Sequence, residues 1–395
     1  MRRTVLAAIA GLLALCVCFA HAEIFFHEEF NSLDGWVQSE HKSDYGKVEL
    51  SSGAIHVDAA KQQGLKLTQD EKFYAISKKL PTPVSNDGKP LVVSFSVRNE
   101  QDLQCGGTYL KFFSELNQKD FNGESPYWLM FGPDRCGSSR RVHIILNHNG
   151  ENHLWKNMHI PKEGRATHAY TLEIAPNNTY QLYVDGEYAT SGSLEEEWDM
   201  VPPKTIADPN EKKPSDWVDE AMIPDPSFTK PEDWDKEPAT IPDAEAVKPE
   251  DWDDAEDGKW EPPQIPNPKY PGEWKPRLMK NPAYKGPWAA QQIPNPAYKE
   301  DPNLYRASAP LQYVGIDVLQ VQAGSIFDNI VIGDNLQEVL KVVESTYGAI
   351  AKEERELLDA KAKEKDEAEA KAEAEEHKEQ AGDSDDKGAN DEEDL

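Results

Sequence analysis

Two successive sets of tandem repeats, spanning residues 206–298, set the first limit on what this chain can fold into. Three units begin with an Ile two residues before an Asp and close on Lys-Pro-x-Asp-Trp: Ile206 to Trp217, Ile223 to Trp234 and Ile241 to Trp252. Three more follow at once, each opening on Gly-x-Trp and closing on Asn-Pro-x-Tyr: Gly258 to Tyr270, Gly272 to Tyr284 and Gly286 to Tyr298. A stretch so rich in Pro, Asp and Glu cannot bury enough apolar surface for a compact core. A free linker, however, has no need of a Trp at a matched place in every unit. The pattern therefore predicts units that pack only on their neighbours, with a turn near Asp257–Gly258 that returns the second set antiparallel to the first. Proline removes ladder donors, so strand pairing there is expected to be short and interrupted.

The N-terminus points to a compartment. Arg2-Arg3, an apolar run from Val5 to Phe19 and Ala20-His21-Ala22 form the three regions of a secretory signal peptide, which predicts removal of residues 1–22. No later segment approaches the roughly 20 apolar residues of a membrane helix. Cys16 and Cys18 fall in the leader, leaving Cys105 and Cys136. In an oxidising compartment an even pair favours one disulfide closing a loop of about 30 residues, a constraint contributing about 3 kcal/mol. Asn177-Asn178-Thr179 is a glycosylation sequon. The net charge of −30 excludes nucleic acid as a partner and favours cations.

Residues 23–200 read as globular and β-rich. Short apolar and β-branched runs, such as Leu91–Val97, Tyr127–Phe131, Arg141–Leu146 and Tyr180–Val184, are separated by turn signals at Asn86-Asp87-Gly88, Asn122-Gly123, His148-Asn149-Gly150 and Asp185-Gly186. This is the pattern of an antiparallel sandwich. Two further strands, within 303–334, have no core of their own and are expected to complete the same sandwich, so that 201–302 is an insertion into one domain. From Asn335 the period changes. Leu336, Val339, Leu340, Val343 and Ile350 sit at helical spacing, and Ala, Glu and Lys dominate to Gln380, before an acidic end expected to be disordered. The segment 335–395 thus reads as a helix with an acidic tail.

Three motifs carry a resemblance to a known family: Cys105-Gly-Gly-Thr-Tyr-Leu-Lys111, Leu129-Met-Phe-Gly-Pro-Asp-Arg-Cys136-Gly137, and the Lys-Pro-x-Asp-Trp repeats. The chain resembles the calreticulin/calnexin family over essentially all of its length after the leader. The resemblance implies a legume-lectin-like jelly-roll sandwich with an inserted, Pro-rich hairpin arm. It also implies a chaperone of the endoplasmic reticulum lumen that binds monoglucosylated high-mannose N-glycans and unfolded polypeptide, and no enzymatic activity. By this resemblance the glycan contacts Tyr109, Lys111, Tyr127, Asp134 and Asp317, with Met130, His143 and Ile145 beside them. Calcium is implied at Glu29, Lys61 and Gln63 through their carbonyls and at Asp328 through its carboxylate. A thiol-disulfide oxidoreductase of the disulfide isomerase class is implied at the arm tip through Asp257 and Trp260.

The residues themselves bear on these implications. A sugar site combines hydrogen-bonding groups with an apolar surface, and Tyr109 and Lys111, two apart on an expected strand, share a face. Calcium takes oxygen ligands and accepts carbonyls of any residue; no EF-hand loop is present. The chain also departs from the family pattern. Leu319 stands where members commonly carry Trp, and Thr108 where they carry a small residue. Ala255 and Lys259 replace commonly acidic tip positions. Lysines interrupt the acidic tail, and the chain closes on Glu392-Glu-Asp-Leu395 instead of Lys-Asp-Glu-Leu, which raises leakage to the surface or medium as an expectation. A lumenal calcium-storage protein is the rival reading. A glycosidase on this sandwich would need two carboxylates facing one cleft, for which Asp134 and Asp317 qualify by type alone.

Overall fold

The computed structural model describes residues 23–253 and 258–385, with side chains to Glu373. The expected leader, the tip residues Ala255 and Asp257, and the terminal Glu392–Leu395 lie outside the described residues. The chain divides into two compact units: the residues up to 203 together with those from 297, and residues 204–296.

The first unit is a sandwich of two antiparallel sheets. One runs in the order Glu187–Ser193, Thr179–Val184, His168–Ala175, Leu91–Asn99, Ser325–Gly333, Gly64–Leu67, Val48–Ser51, with Ile24–Glu28 also paired to Ser325–Gly333. The other runs Glu151–Leu154, Ser139–His148, Leu129–Cys136, Cys105–Gly107, Leu311–Gln320, Lys72–Val84, Trp36–Gln38, with Leu110–Phe113 bridging Leu311–Gln320 and Leu129–Cys136. Alternation decides which side chains meet between the sheets. Along Leu129–Cys136, for example, Leu129 and Phe131 enter the core and Met130 turns outward. Phe95 sits at the centre and meets Phe131 edge-on at 5.8 Å, with Tyr170 and Phe327 within 6.3 Å. Such aromatic packing adds about 1 kcal/mol per pair beyond burial.

The C-terminal segment begins with helix Leu336–Val343, whose first turn is capped by the Asn335 side chain accepting from Glu338 N at 3.1 Å. Leu336 and Val339 pack on Val92 and Val331 of the first sheet, and Val343 and Tyr347 pack on Ala169. A wide turn of π-helix, Glu344–Gly348, leads into the helix Ala349–Asp385. That helix passes the end expected at residue 380, because its Ala, Glu and Lys composition sustains helix and Lys363–Glu367 and Lys365–Glu369 pair at i,i+4 spacing.

The second unit is built from the repeats. The ladder Thr205–Ala207 pairs with Gln292–Pro294, Met222–Pro224 with Leu278–Lys280, and Thr240–Pro242 with Gln264–Pro266. Each first-set unit thus faces one second-set unit, and Ile206 meets Ile293, Ile223 meets Met279, and Ile241 meets Ile265. The Trp of each Lys-Pro-x-Asp-Trp closure donates its indole N–H to a glycine carbonyl of the facing unit: Trp217 to Gly286 at 2.8 Å, Trp234 to Gly272 at 2.9 Å and Trp252 to Gly258 at 2.8 Å. These glycines have φ of 90°, 87° and 83°, a left-handed backbone that a side chain would strain. The repeated Gly-x-Trp is therefore an acceptor device as much as a turn. Trp234→Ala removes both the indole contact and the hydrogen bond. It is expected to cost roughly 2 kcal/mol of local protection, read as faster amide exchange in Met222–Pro224 and Leu278–Lys280 with the sandwich amides unchanged.

Candidate functional site

Register partners in an antiparallel sheet share a face, and this assembles the candidate site on the outer face of the second sheet. Lys111 lies opposite Met130 on one side and Gly315 on the other, and Met130 lies opposite Ile145. His143 lies opposite Gly132, two residues along from Met130, and Asp317 follows Gly315 by two. The intervening Leu110, Phe112, Ile144, Ile316 and Val318 fill the core.

The chain is interrupted where Tyr109 sits. Strand Cys105–Gly107 ends and strand Leu110–Phe113 begins, so Tyr109 lies in the break and not on one continuous strand with Lys111. Thr108 makes the break, because its backbone N–H and its hydroxyl both donate to Pro133 O, at 2.8 and 3.3 Å. The Tyr109 ring then folds over Gly107, where a Cβ would fall 2.2 Å from the ring, so glycine is required for this approach. Cys105 and Cys136 are register partners joined by a disulfide, which ties the two strands beside this break.

Two polar groups result. In the first, Lys111 Nζ donates to Asp317 Oδ2 at 2.7 Å and lies 5.0 Å from the centre of the Tyr127 ring. Lys111 is 4% exposed and Asp317 8%, so the pair is largely dehydrated. In the second, His143 Nε2 stands 3.5 Å from Asp134 Oδ2, and the His143 ring meets the Tyr109 ring edge-on at 6.3 Å. Tyr109 links the groups electrostatically. Burial, and then the nearby Asp317 and Asp134 carboxylates, push its phenol well above the ordinary range. Burial and Asp317 push Tyr127 up as well. Both phenols therefore remain protonated and available as donors. The face presents phenol hydroxyls, carboxylate acceptors and an ammonium over an apolar floor of Met130 and Ile145, a set suited to a hydroxyl-rich ligand.

Leu319, the departure noted above, lies opposite Phe73, which is 47% exposed with the Lys42 ammonium 4.2 Å from its ring centre. Sequence reasoning passed over Phe73; the signal was its alternation with Ala75 and Ser77, which places it on the same face as Asp317.

Backbone topology also brings together Glu29, Gln63 and Asp328, three of the four residues considered for calcium. Strand Ile24–Glu28 pairs with the second half of Ser325–Gly333, where Glu28 lies opposite Ile330. Strand Gly64–Leu67 pairs with its first half, where Leu65 lies opposite Phe327. Glu29 and Gln63 therefore bracket Asp328 along one strand edge, and Gln63 Nε2 donates to Phe30 O at 2.9 Å to join the two segments. Burial pushes the Asp328 carboxyl well above the usual carboxylate range, its own contacts with Asn329 oppose this, and Glu29 and Glu28 push it further up. Asn329 donates to both of its oxygens, the N–H to Oδ1 and the side-chain amide to Oδ2, at 2.7 Å each. A half-buried carboxylate with Glu28 and Glu29 adding negative charge beside it fits a hard divalent cation. Among the described residues no cluster of three His, Cys, Asp or Glu side chains offers another metal site.

The remaining sites are dispersed. Trp260 is half-buried in the second unit, and Asp257 lies outside the described residues. Asn177 is exposed in the turn after His168–Ala175 and accepts from Thr179 Oγ1 at 2.6 Å. No helix among the described residues is long and apolar enough to cross a membrane.

The fold defines a β-sandwich of the lectin-like class, and comparison with known proteins specifies it further. A sequence model of the calreticulin family matches residues 25–259 and 255–332. A calreticulin of Schistosoma mansoni is 53% identical over 349 residues, covering 86% of this chain and 88% of that protein. A calreticulin of Onchocerca volvulus is 50% identical over 343 residues, covering 85% and 88%. The solved T. cruzi calreticulin globular domain is 39% identical with a TM-score of 0.64, covering 86% of this chain and 99% of that one. The chain belongs to the calreticulin family.

Breaking the Lys111–Asp317 pair from one side leaves a buried charge without a partner. Lys111→Ala is expected to lower unfolding free energy by about 3 kcal/mol, whereas Lys111→Met with Asp317→Leu recovers most of that loss. Urea denaturation of the two variants checks this.

Proposed function

We propose that this protein is a calcium-binding lectin chaperone of the endoplasmic reticulum lumen that reversibly captures monoglucosylated high-mannose N-glycans on folding glycoproteins. The observation that carries the reading is the buried Lys111–Asp317 pair beneath Tyr109 and Tyr127 on the outer face of the second sheet. A dehydrated ion pair with protonated phenols around it presents fixed donors and acceptors, so little ordering is needed when a sugar binds. Met130 and Ile145 supply the apolar surface, and Asp134 and His143 extend the polar rim. The disulfide holds the adjoining strand edge. Retention rests on reversible binding and requires no bond to be made or broken. Phe73 offers an aromatic surface beside Leu319, where the usual Trp is missing.

Calcium enters the same reading as a structural ion held by the carbonyls of Glu29, Lys61 and Gln63 and the carboxylate of Asp328. When bound, it supplies charge balance for Asp328, Glu28 and Glu29 and draws three chain segments together. The tail adds only modest capacity, since lysines pair with its acids along the helix. Recruitment of a disulfide isomerase-class oxidoreductase belongs to the segment around Trp260 and Asp257, where Ala255 and Lys259 weaken an acidic surface. Unfolded polypeptide is the second class of client.

Calorimetry with monoglucosylated and unglucosylated high-mannose glycans tests the lectin reading. Only the glucosylated glycan is expected to bind. Tyr109→Phe, which removes one hydroxyl, is expected to weaken it about tenfold or more. Equal binding of both glycans, or none, sinks the reading and leaves calcium storage in front. For calcium, a cation binding only the folded state raises stability by about 2.7 kcal/mol at a hundredfold excess over Kd. The wild-type Tm is expected to rise accordingly and the Tm of Asp328→Asn to stay fixed in scanning calorimetry.

A further inference from the structure

Glu354 is the least expected buried residue in the molecule. It stands on helix Ala349–Asp385, which is otherwise mostly solvated, yet it is 1% exposed. Ile350, one turn earlier, is also buried, so the two share the face turned to the sandwich. An apolar residue would serve docking alone. The carboxylate is instead matched by donors from three separate segments. Thr167 gives its backbone N–H to Oε2 and its hydroxyl to Oε1, both at 2.7 Å. Gln62 Nε2 donates to Oε1 at 2.8 Å, and Arg98 Nη1 approaches at 3.4 Å.

The Gln62 contact is the informative one. Gln62 lies between Lys61 and Gln63, the two loop residues whose carbonyls are assigned to calcium above. Its side-chain oxygen accepts from Val57 N at 2.6 Å and Asp58 N at 3.0 Å, so one amide organises its own loop and reaches the helix. Arg98 repeats the link, donating to Ile55 O at 2.7 Å as well as to Glu354. Glu354 thus holds the segment 55–63 at two points. A small cavity of about 20 Å³ lies on the same path, lined by Gln62, Arg98 and Thr167, by Asp328, and by Tyr347 and Ile350 from the C-terminal segment. The putting-together of a calcium carboxylate, a ligand loop and a docked helix around one cavity is not needed for docking alone.

We propose that Glu354 is a positioning residue for calcium. Its carboxylate holds Gln62, and through it the Lys61 and Gln63 carbonyls, in the arrangement the ion requires. Calcium binding and docking of the C-terminal helix are then coupled, and by linkage each strengthens the other by the same factor. This rests on the calcium reading given above.

The test uses the full chain after the leader and calcium alone as the probe. Calorimetric titration follows the tightest calcium phase in the wild type, Glu354→Gln, Gln62→Glu, the two combined, and Asp328→Asn. Hydrogen exchange follows residues 55–63 and 349–358 with and without calcium. Gln62→Glu keeps an oxygen for the Val57 and Asp58 amides but sets a carboxylate against Glu354. Each single variant is expected to lose affinity about tenfold. The combined variant restores a donor facing an acceptor and is expected to regain most of the loss, which a merely structural defect would not do. Calcium is expected to slow exchange in 349–358 of the wild type and not of Asp328→Asn. Wild-type affinity in both single variants overturns the proposal, as does helix exchange indifferent to calcium while Asp328→Asn loses the site. Should Glu354→Gln fail to fold, Gln62→Glu decides by itself. If Asp328→Asn binds as the wild type does, the calcium reading itself is the one that falls.

Discussion

Both sheets are completed by strands that the chain reaches only after the repeats, and the rest of the sandwich depends on that pairing. Leu311–Gln320 forms its ladder with Lys72–Val84 on one side and with Cys105–Gly107 and Leu110–Phe113 on the other. Ser325–Gly333 lies between Leu91–Asn99 and the Gly64–Leu67 and Ile24–Glu28 strands. Without these two strands each sheet would part in the middle and leave buried N–H and C=O groups unpaired. The same strands carry Asp317 and Asp328, so closing the sheets also assembles the candidate sites. Lys111 and Asp317 are 206 residues apart in sequence and 2.7 Å apart in space.

Three carboxylates, Asp317 and Glu354 buried and Asp328 half-buried, show how the fold handles charge. Dehydrating an ion costs several kcal/mol unless its partners are well placed. Asp317 is answered by one ammonium, delivered by strand register. Glu354 is answered by a hydroxyl, an amide, a backbone N–H and a guanidinium, delivered by helix docking. Asp328 is answered chiefly by its neighbour Asn329, with Glu28 and Glu29 adding repulsion. Glu28 itself is tied to Lys78 and to the Trp36 indole. The first arrangement suits a polar ligand, the second couples distant segments, and the third suits a cation.

The sandwich was legible because its strands are short, alternating and punctuated by Gly and Asn turns, and period-2 patterning survives without knowledge of partners. The residues of the candidate face were legible through the family motifs around Cys105 and Cys136. Their arrangement was not. The break at Tyr109 follows from Thr108 turning to Pro133, a contact between strands that spacing along the chain does not reveal. Glu354 was hidden for a different reason. It is one Glu among many on a helix whose composition reads as solvated, and only the docked face distinguishes it. Phe73 reads as an ordinary strand aromatic until register places it opposite Leu319.

By itself the sequence determined the local and compositional features of this protein: the strand pattern, the six matched repeats, the helix propensity of the C-terminal segment and the family membership. These depend on neighbours a few residues apart or on motifs that stay intact when the chain is written out. The tertiary structure decided which carboxylates are buried, which donors meet them and which faces are shared. Those outcomes follow from long-range strand register and helix docking, where a shift of one residue moves a side chain to the opposite face. In this chain that difference separates an exposed acid from a buried, partnered one.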